Sequence, residues 1–189
     1  MQPRELIDFL GIVGKLKDTT RHVWSPEGRK ESVAEHSWRV AVMALLVADE
    51  FPNVNISKVV KMCLIHDFGE ALTGDIPSFY KTNEDREKED LAVDEMLKDL
   101  PKTIASEFLE LFDEMIELKS EEAKLFKALD KMEACISHNE SNIETWIPLE
   151  YTENITYGTE NVSYSEYLIK LKEEINNDSL KKIESAQEN

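Results

Sequence analysis

The chain has 189 residues, 41% of them apolar, and sets 22 Lys and Arg against 39 Asp and Glu for a formal net charge of -17. That length suits one domain with a sizeable hydrophobic core. The acidic balance argues against binding nucleic-acid polymers, which needs clustered Lys and Arg. Any anionic substrate then depends on local features: a metal, an arginine or helix N-termini.

Helical periodicity dominates, so the expected fold class is all-α, a single domain of about six to eight helices over residues 1–177 with a polar tail at 178–189. Residues 4–14 read as a first helix with Pro3 near its start. Residues 15–31 read as a charged loop with a turn at Ser25-Pro26-Glu27-Gly28. Ser32-Val33-Ala34-Glu35 is a capping box that opens a helix to about Glu50, apolar on nearly every side between Val40 and Ala48 and therefore central.

Asn55 caps the next helix, which ends near Thr73-Gly74-Asp75-Ile76-Pro77. Residues 84–99 form a charged amphipathic helix, Pro101 begins another that runs to about Leu118, and Ser120 starts one through about Asn139. Residues 140–161 carry no clear pattern. Ser163-Tyr164-Ser165-Glu166 is a second capping box, opening a last helix to about Asn176.

Cys63 and Cys135 both fall in helices and form no CxxC pair, as expected of reduced core thiols. No basic segment followed by an apolar run occurs at the amino terminus, and no apolar run approaches about 18 residues. The expectation is a cytoplasmic protein that does not enter a membrane.

The chemistry-bearing residues interrupt apolar runs. His36, Val40, Met43 and Val47 share one helical stripe, so His36 points where the aliphatics point. It is either a hydrogen-bonded core histidine or a ligand. His66-Asp67 ends the run from Val59 to Ile65, and such a buried pair needs hydrogen bonds, an ionic partner or a cation. Glu70 follows one turn later on the same face. Asp130 flanks the stripe of Leu125, Leu129, Met132 and Ile136 and could equally pair with Lys127 or Lys131.

As a set, His36, His66, Asp67 and Asp130 supply two imidazoles and two carboxylates, enough for one divalent ion of the Co, Mn, Ni, Fe or Zn type. Such an ion activates water, and Glu70 is placed to handle its proton. His22 reads as a loop residue, His138 as a helix-terminal charge and Lys81 as a solvated lysine.

The order His36, His66-Asp67, Asp130 resembles the H…HD…D pattern of the HD-domain metal-dependent phosphohydrolases. The blocks Ser32–Ser37, Ile65–Pro77 and Lys127–Ala134 resemble its 5′-deoxynucleotidase branch, which includes the YfbR-like bacterial enzymes and the HD domain-containing protein 2 group. The resemblance implies an all-α, homodimeric HD fold with one divalent metal held by His36, His66, Asp67 and Asp130. It implies hydrolysis of a deoxyribonucleoside 5′-monophosphate, a small-molecule nucleotide substrate. It assigns Glu70 to the attacking water and Asp75 to the catalytic site beside the sugar. Arg21 and Trp24 resemble an Arg and a Trp that recur before the first ligand, the Arg for phosphate and the Trp for a sugar or base face. Here His22 and Val23 separate the two, whereas they are adjacent in the bacterial enzymes. The alternatives are hydrolysis of nucleoside triphosphates or alarmones, and a nonenzymatic helical binding module. A two-iron oxygenase needs more well-placed histidines than the four present.

Overall fold

Local capping signals set most of the helix starts. The computed structural model describes residues 1–188. Pro3 occupies the first turn of α1 (Pro3–Val13), where its missing N–H is no loss. The expected loop that follows instead contains an antiparallel hairpin, β1 (Thr20–Trp24) and β2 (Lys30–Ser32), closed by the turn in which the Gly28 N–H donates to the Ser25 carbonyl at 3.0 Å. Its pairing runs Thr20 to Ser32 and Trp24 to Lys30, so β1 bulges between those points. The bulge breaks strict alternation, which is why the charged segment carries no strand pattern.

The Ser32–Glu35 box forms as expected at α2 (Val33–Leu46): the Glu35 N–H donates to the Ser32 hydroxyl, and the Ser32 N–H to the Glu35 carboxylate at 2.9 Å. α2 stops at Leu46, and a 3-10 turn covers Ala48–Glu50. Asn55 caps α3 (Ile56–Ile65). The expected single helix to Thr73 is broken after Ile65. The Phe68, Glu70 and Ala71 N–H groups bond three residues back, so His66–Gly69 form tight turns before the short α4 (Glu70–Thr73).

α5 (Asn83–Leu97) begins at a Thr82–Asp85 box, α6 (Lys102–Glu117) follows Pro101, and Ser120 caps α7 (Glu121–Glu140). The unpatterned stretch holds two short helices, α8 (Glu150–Thr156) and α9 (Thr159–Val162). α10 (Glu166–Gln187) is capped by Ser165, not Ser163. It also runs well past the expected end at Asn176. Ser179 is buried there and donates to Asn139 Oδ1 of α7 at 2.7 Å, an anchor that polar composition hides.

α7 is the centre of the bundle: α2, α3, α6 and α10 pack on it, and β1, α8 and α9 touch it. Val33, Val40 and Ala44 of α2, Val59 and Met62 of α3, Leu125, Leu129 and Met132 of α7, and Leu168 of α10 are all 0% exposed. No helix among the described residues is long and apolar enough to cross a membrane. With Leu129 at the middle of this contact, Leu129→Ala should destabilise the protein by about 2–5 kcal/mol in urea unfolding. A loss below about 1 kcal/mol would contradict a central α7.

Candidate active site

α2, the turn after α3, and α7 each carry one or two polar residues to the same end of the core. There, together with the hairpin and the segment after α4, they enclose a cavity of about 390 Å³ lined by Arg21, His36, His66, Asp67, Asp75 and Asp130 among others. His36 Nε2 lies 3.1 Å and His66 Nε2 3.6 Å from the same oxygen, Asp130 Oδ1. Asp67 Oδ2 is 3.0 Å from His66 Nε2. Donor atoms of His36, His66 and Asp67 all fall within 4.8 Å of one another. The four residues singled out in sequence as ligands therefore converge.

Hydrogen bonds behind the rings fix which nitrogens face inward. His66 Nδ1 is 2.8 Å from the Cys63 carbonyl oxygen, which only accepts, so Nδ1 carries the proton and the neutral ring's lone pair is on Nε2. That Nε2 is buried and has no hydrogen-bond partner, because Asp67 approaches it outside bonding geometry. His36 Nδ1 donates to Glu133, which is 0% exposed. Two inward imidazole nitrogens facing two carboxylates, one nitrogen without a partner, suit a divalent cation of the borderline type.

Glu133 has no place among the residues singled out in sequence. It sits one turn after Asp130 on α7, and that spacing was the available signal. Burial would push its carboxyl up, but His36 and Arg21 pull it down to about 2. The Ser137 hydroxyl donates to it at 2.8 Å, and Arg21 and Arg39 lie 3.4 and 3.5 Å away.

Asp67 and Asp130 are likewise held below the ordinary carboxylate range. In both, the cost of burial is outweighed by neighbours that favour the ionised form: mainly the His66 imidazole for Asp67, and Lys127 and His36 for Asp130. Lys127 Nζ donates to Asp130 Oδ2 at 2.8 Å, so the lysine pairing considered for Asp130 exists alongside the histidine contact.

Glu70 behaves in the opposite way. It is 4% exposed, and burial beside Asp67 and Asp75 pushes its carboxyl up to about 9, with Lys81 opposing. Lys81 is not a solvated side chain: its Nζ is 3.4 Å from Glu70 and 2.9 Å from Glu89. Gly69 permits that arrangement, since a Cβ there would meet the Glu89 carbonyl oxygen at 2.7 Å. Gly74, at a φ of 79°, turns the chain out of α4 and brings Asp75 to the cavity wall.

Arg21 reaches the cavity from β1 but is engaged by Glu31 at 3.1 Å as well as by Glu133. Trp24 does not line the cavity. It borders a separate groove with Arg29, Trp38 and Arg39. His138, expected as a helix-terminal charge, is buried beside His22, and burial pushes it down to about 4 so that it stays neutral.

An HD-domain family model matches residues 13–172. A Bos taurus protein named 5′-deoxynucleotidase HDDC2 is 36% identical over 141 residues, covering 72% of this chain and 68% of that protein. The Homo sapiens protein of the same name is 35% identical over the same shares. A solved structure from Magnetospirillum magnetotacticum MS-1, called a "Predicted metal-dependent phosphohydrolase", superposes with a TM-score of 0.82 over 95% of both chains at 26% identity.

The buried His138 sets a pH dependence. Its folded value of about 4 lies below the unfolded value of 6.5, so between them the unfolded chain binds the extra proton. The contribution of His138 to stability should fall as pH drops through that window, by up to about 3 kcal/mol, while Glu70, held above its ordinary value, works in the opposite sense. In urea unfolding of the metal-stripped protein, the parent should lose more stability across this window than His138→Gln does. An unchanged slope in the variant would contradict the assignment.

Proposed function

The chain belongs to the HD-domain family, and we propose that it is a metal-dependent 5′-deoxynucleotidase, cleaving deoxyribonucleoside 5′-monophosphates to deoxynucleoside and phosphate. The observation that carries this reading is the partnerless inward nitrogen of His66, set among His36, Asp67 and Asp130 and one turn from the buried Glu70. The relatives named 5′-deoxynucleotidase supply the substrate class.

His36, His66, Asp67 and Asp130 would hold the cation. When bound, a divalent ion there supplies Lewis acidity toward water and phosphate. Asp67 and Asp75 push Glu70 up, and neutralising those two carboxylates would favour its ionised form.

The remaining work falls to side chains. Glu70 takes the proton of the attacking water, and Lys81 holds its carboxylate in place through Oε1. Lys127 and Arg21 offset charge on the phosphoryl oxygens during in-line displacement. The 5′-oxygen leaves and takes a proton from solvent. Asp75, on the same wall, accepts a hydrogen bond from the deoxyribose hydroxyl. Trp24 has no role here because it lines another groove.

A homodimer and a cytoplasmic location belong to the same reading. Exposed Leu6, Ile7 and Leu10 of α1 and Trp38, Leu45 and Leu46 of α2 support self-association, and the free thiols of Cys63 and Cys135 support a reducing compartment.

Phosphate release is the test, using ribo- and deoxyribonucleoside 5′-monophosphates with metal-stripped protein and separate re-addition of Co, Mn, Ni, Zn and Mg. Metal-dependent release from the deoxy substrates is expected. No release from any monophosphate would overturn the reading. Glu70→Gln should lower turnover by about 10²–10⁴-fold while metal binding is retained. Turnover equal to the parent protein would remove Glu70 from the mechanism.

A further inference from the structure

A second convergence of ligand atoms lies on the cavity wall, and the hydrolytic reading does not use it. His22 comes from β1, His138 from the last turn of α7 and Glu150 from the first residue of α8. Glu150 Oε1 is 2.7 Å from His22 Nε2 and 3.3 Å from His138 Nε2. All three donor atoms fall within 4.8 Å of one another. The other Glu150 oxygen accepts the Ile147 N–H at 2.8 Å, which fixes the carboxylate. Ring packing fixes the imidazoles: His22 meets Phe79 edge-on at 5.4 Å, and His138 meets Trp146 at 6.1 Å.

Glu150 is 1% and His138 6% exposed, so both are withdrawn from bulk water. Two imidazole nitrogens aimed at one carboxylate oxygen form a three-ligand N₂O set. The cluster is separate from the His36–His66–Asp67–Asp130 set, sharing no residue with it. Asp75 lies in electrostatic reach of both, feeling His22 on one side and Asp67 on the other.

We propose that His22, His138 and Glu150 form a second site for a divalent transition metal of the zinc or cobalt type, with its remaining coordination positions open to the shared cavity. Three protein ligands and an open position leave room for water or an electron-rich atom of a cavity ligand. The site does not depend on the identity of the substrate.

Cobalt(II) alone is the probe. Metal-stripped protein is dialysed against it near neutral pH, and bound cobalt is counted by elemental analysis beside the visible spectrum. The parent protein should bind one cobalt more per chain than His22→Gln, and His22→Gln and His66→Ala should lose different absorption bands. Glu150 is so buried that its replacement risks unfolding, so partly exposed His22 is the primary variant. His138→Gln is the second, each checked for folding by circular dichroism. A cobalt count and spectrum that both His22→Gln and His138→Gln leave unchanged would overturn the proposal. His66→Ala reports on the other cluster separately, so failure of one site is not mistaken for failure of the other.

Discussion

Two imidazole nitrogens and two carboxylates are held around one buried point, and the architecture is organised to keep them there. Bringing charged groups into a core is costly unless each is paired and hydrogen-bonded. Here three of the four have a contact behind them. His66 leans on the Cys63 carbonyl, His36 on Glu133, and Asp130 on Lys127. Among these four residues, the buried atom without a hydrogen-bond partner is the inward His66 Nε2. Packing α7 against both α2 and α3 makes the convergence possible, because those three helices carry these four residues or lead directly into them.

Charge compensation extends outward from that point. Glu133 accepts from His36 and Ser137 and lies beside Arg21 and Arg39; Arg39 in turn makes two hydrogen bonds of 2.6 Å to Glu140 at the surface. A chain with a net charge of -17 thus concentrates cations where they matter. Arg21, Lys81, Arg86, Lys127 and Lys131 line the cavity beside Asp67, Glu70, Asp75, Asp130, Glu150 and Glu153, so an anionic phosphate finds cations within reach among the carboxylates.

Much of this was legible in the sequence, and for physical reasons. Ser32 with Glu35, Asn55 and Ser120 mark helix starts through bonds made within three residues, which need no tertiary context. His36, His66, Asp67 and Asp130 stood out because polar groups in apolar helical runs demand partners. The rest depended on contacts between distant segments. The hairpin is bulged, so Thr20–Trp24 shows no alternation. Ser179 is anchored by Asn139 across helices, which extends α10 through a stretch of tail-like composition. Glu133 looks like any surface glutamate until His36 is placed against it. Lys81 and His138 were misread for the same reason: burial by remote segments cannot be seen in their own neighbours in sequence. Trp24, placed by resemblance to related chains, belongs to a different groove because the bulged β1 does not present it to the cavity.

The most direct test of the central claim is anomalous diffraction at the cobalt edge from crystals of the cobalt-loaded protein. A peak is expected with His36 Nε2, His66 Nε2 and carboxylate oxygens of Asp67 and Asp130 at about 2.0–2.2 Å, typical metal–ligand distances. No peak there, with His66 Nε2 instead hydrogen-bonded to one of those carboxylates, would contradict it.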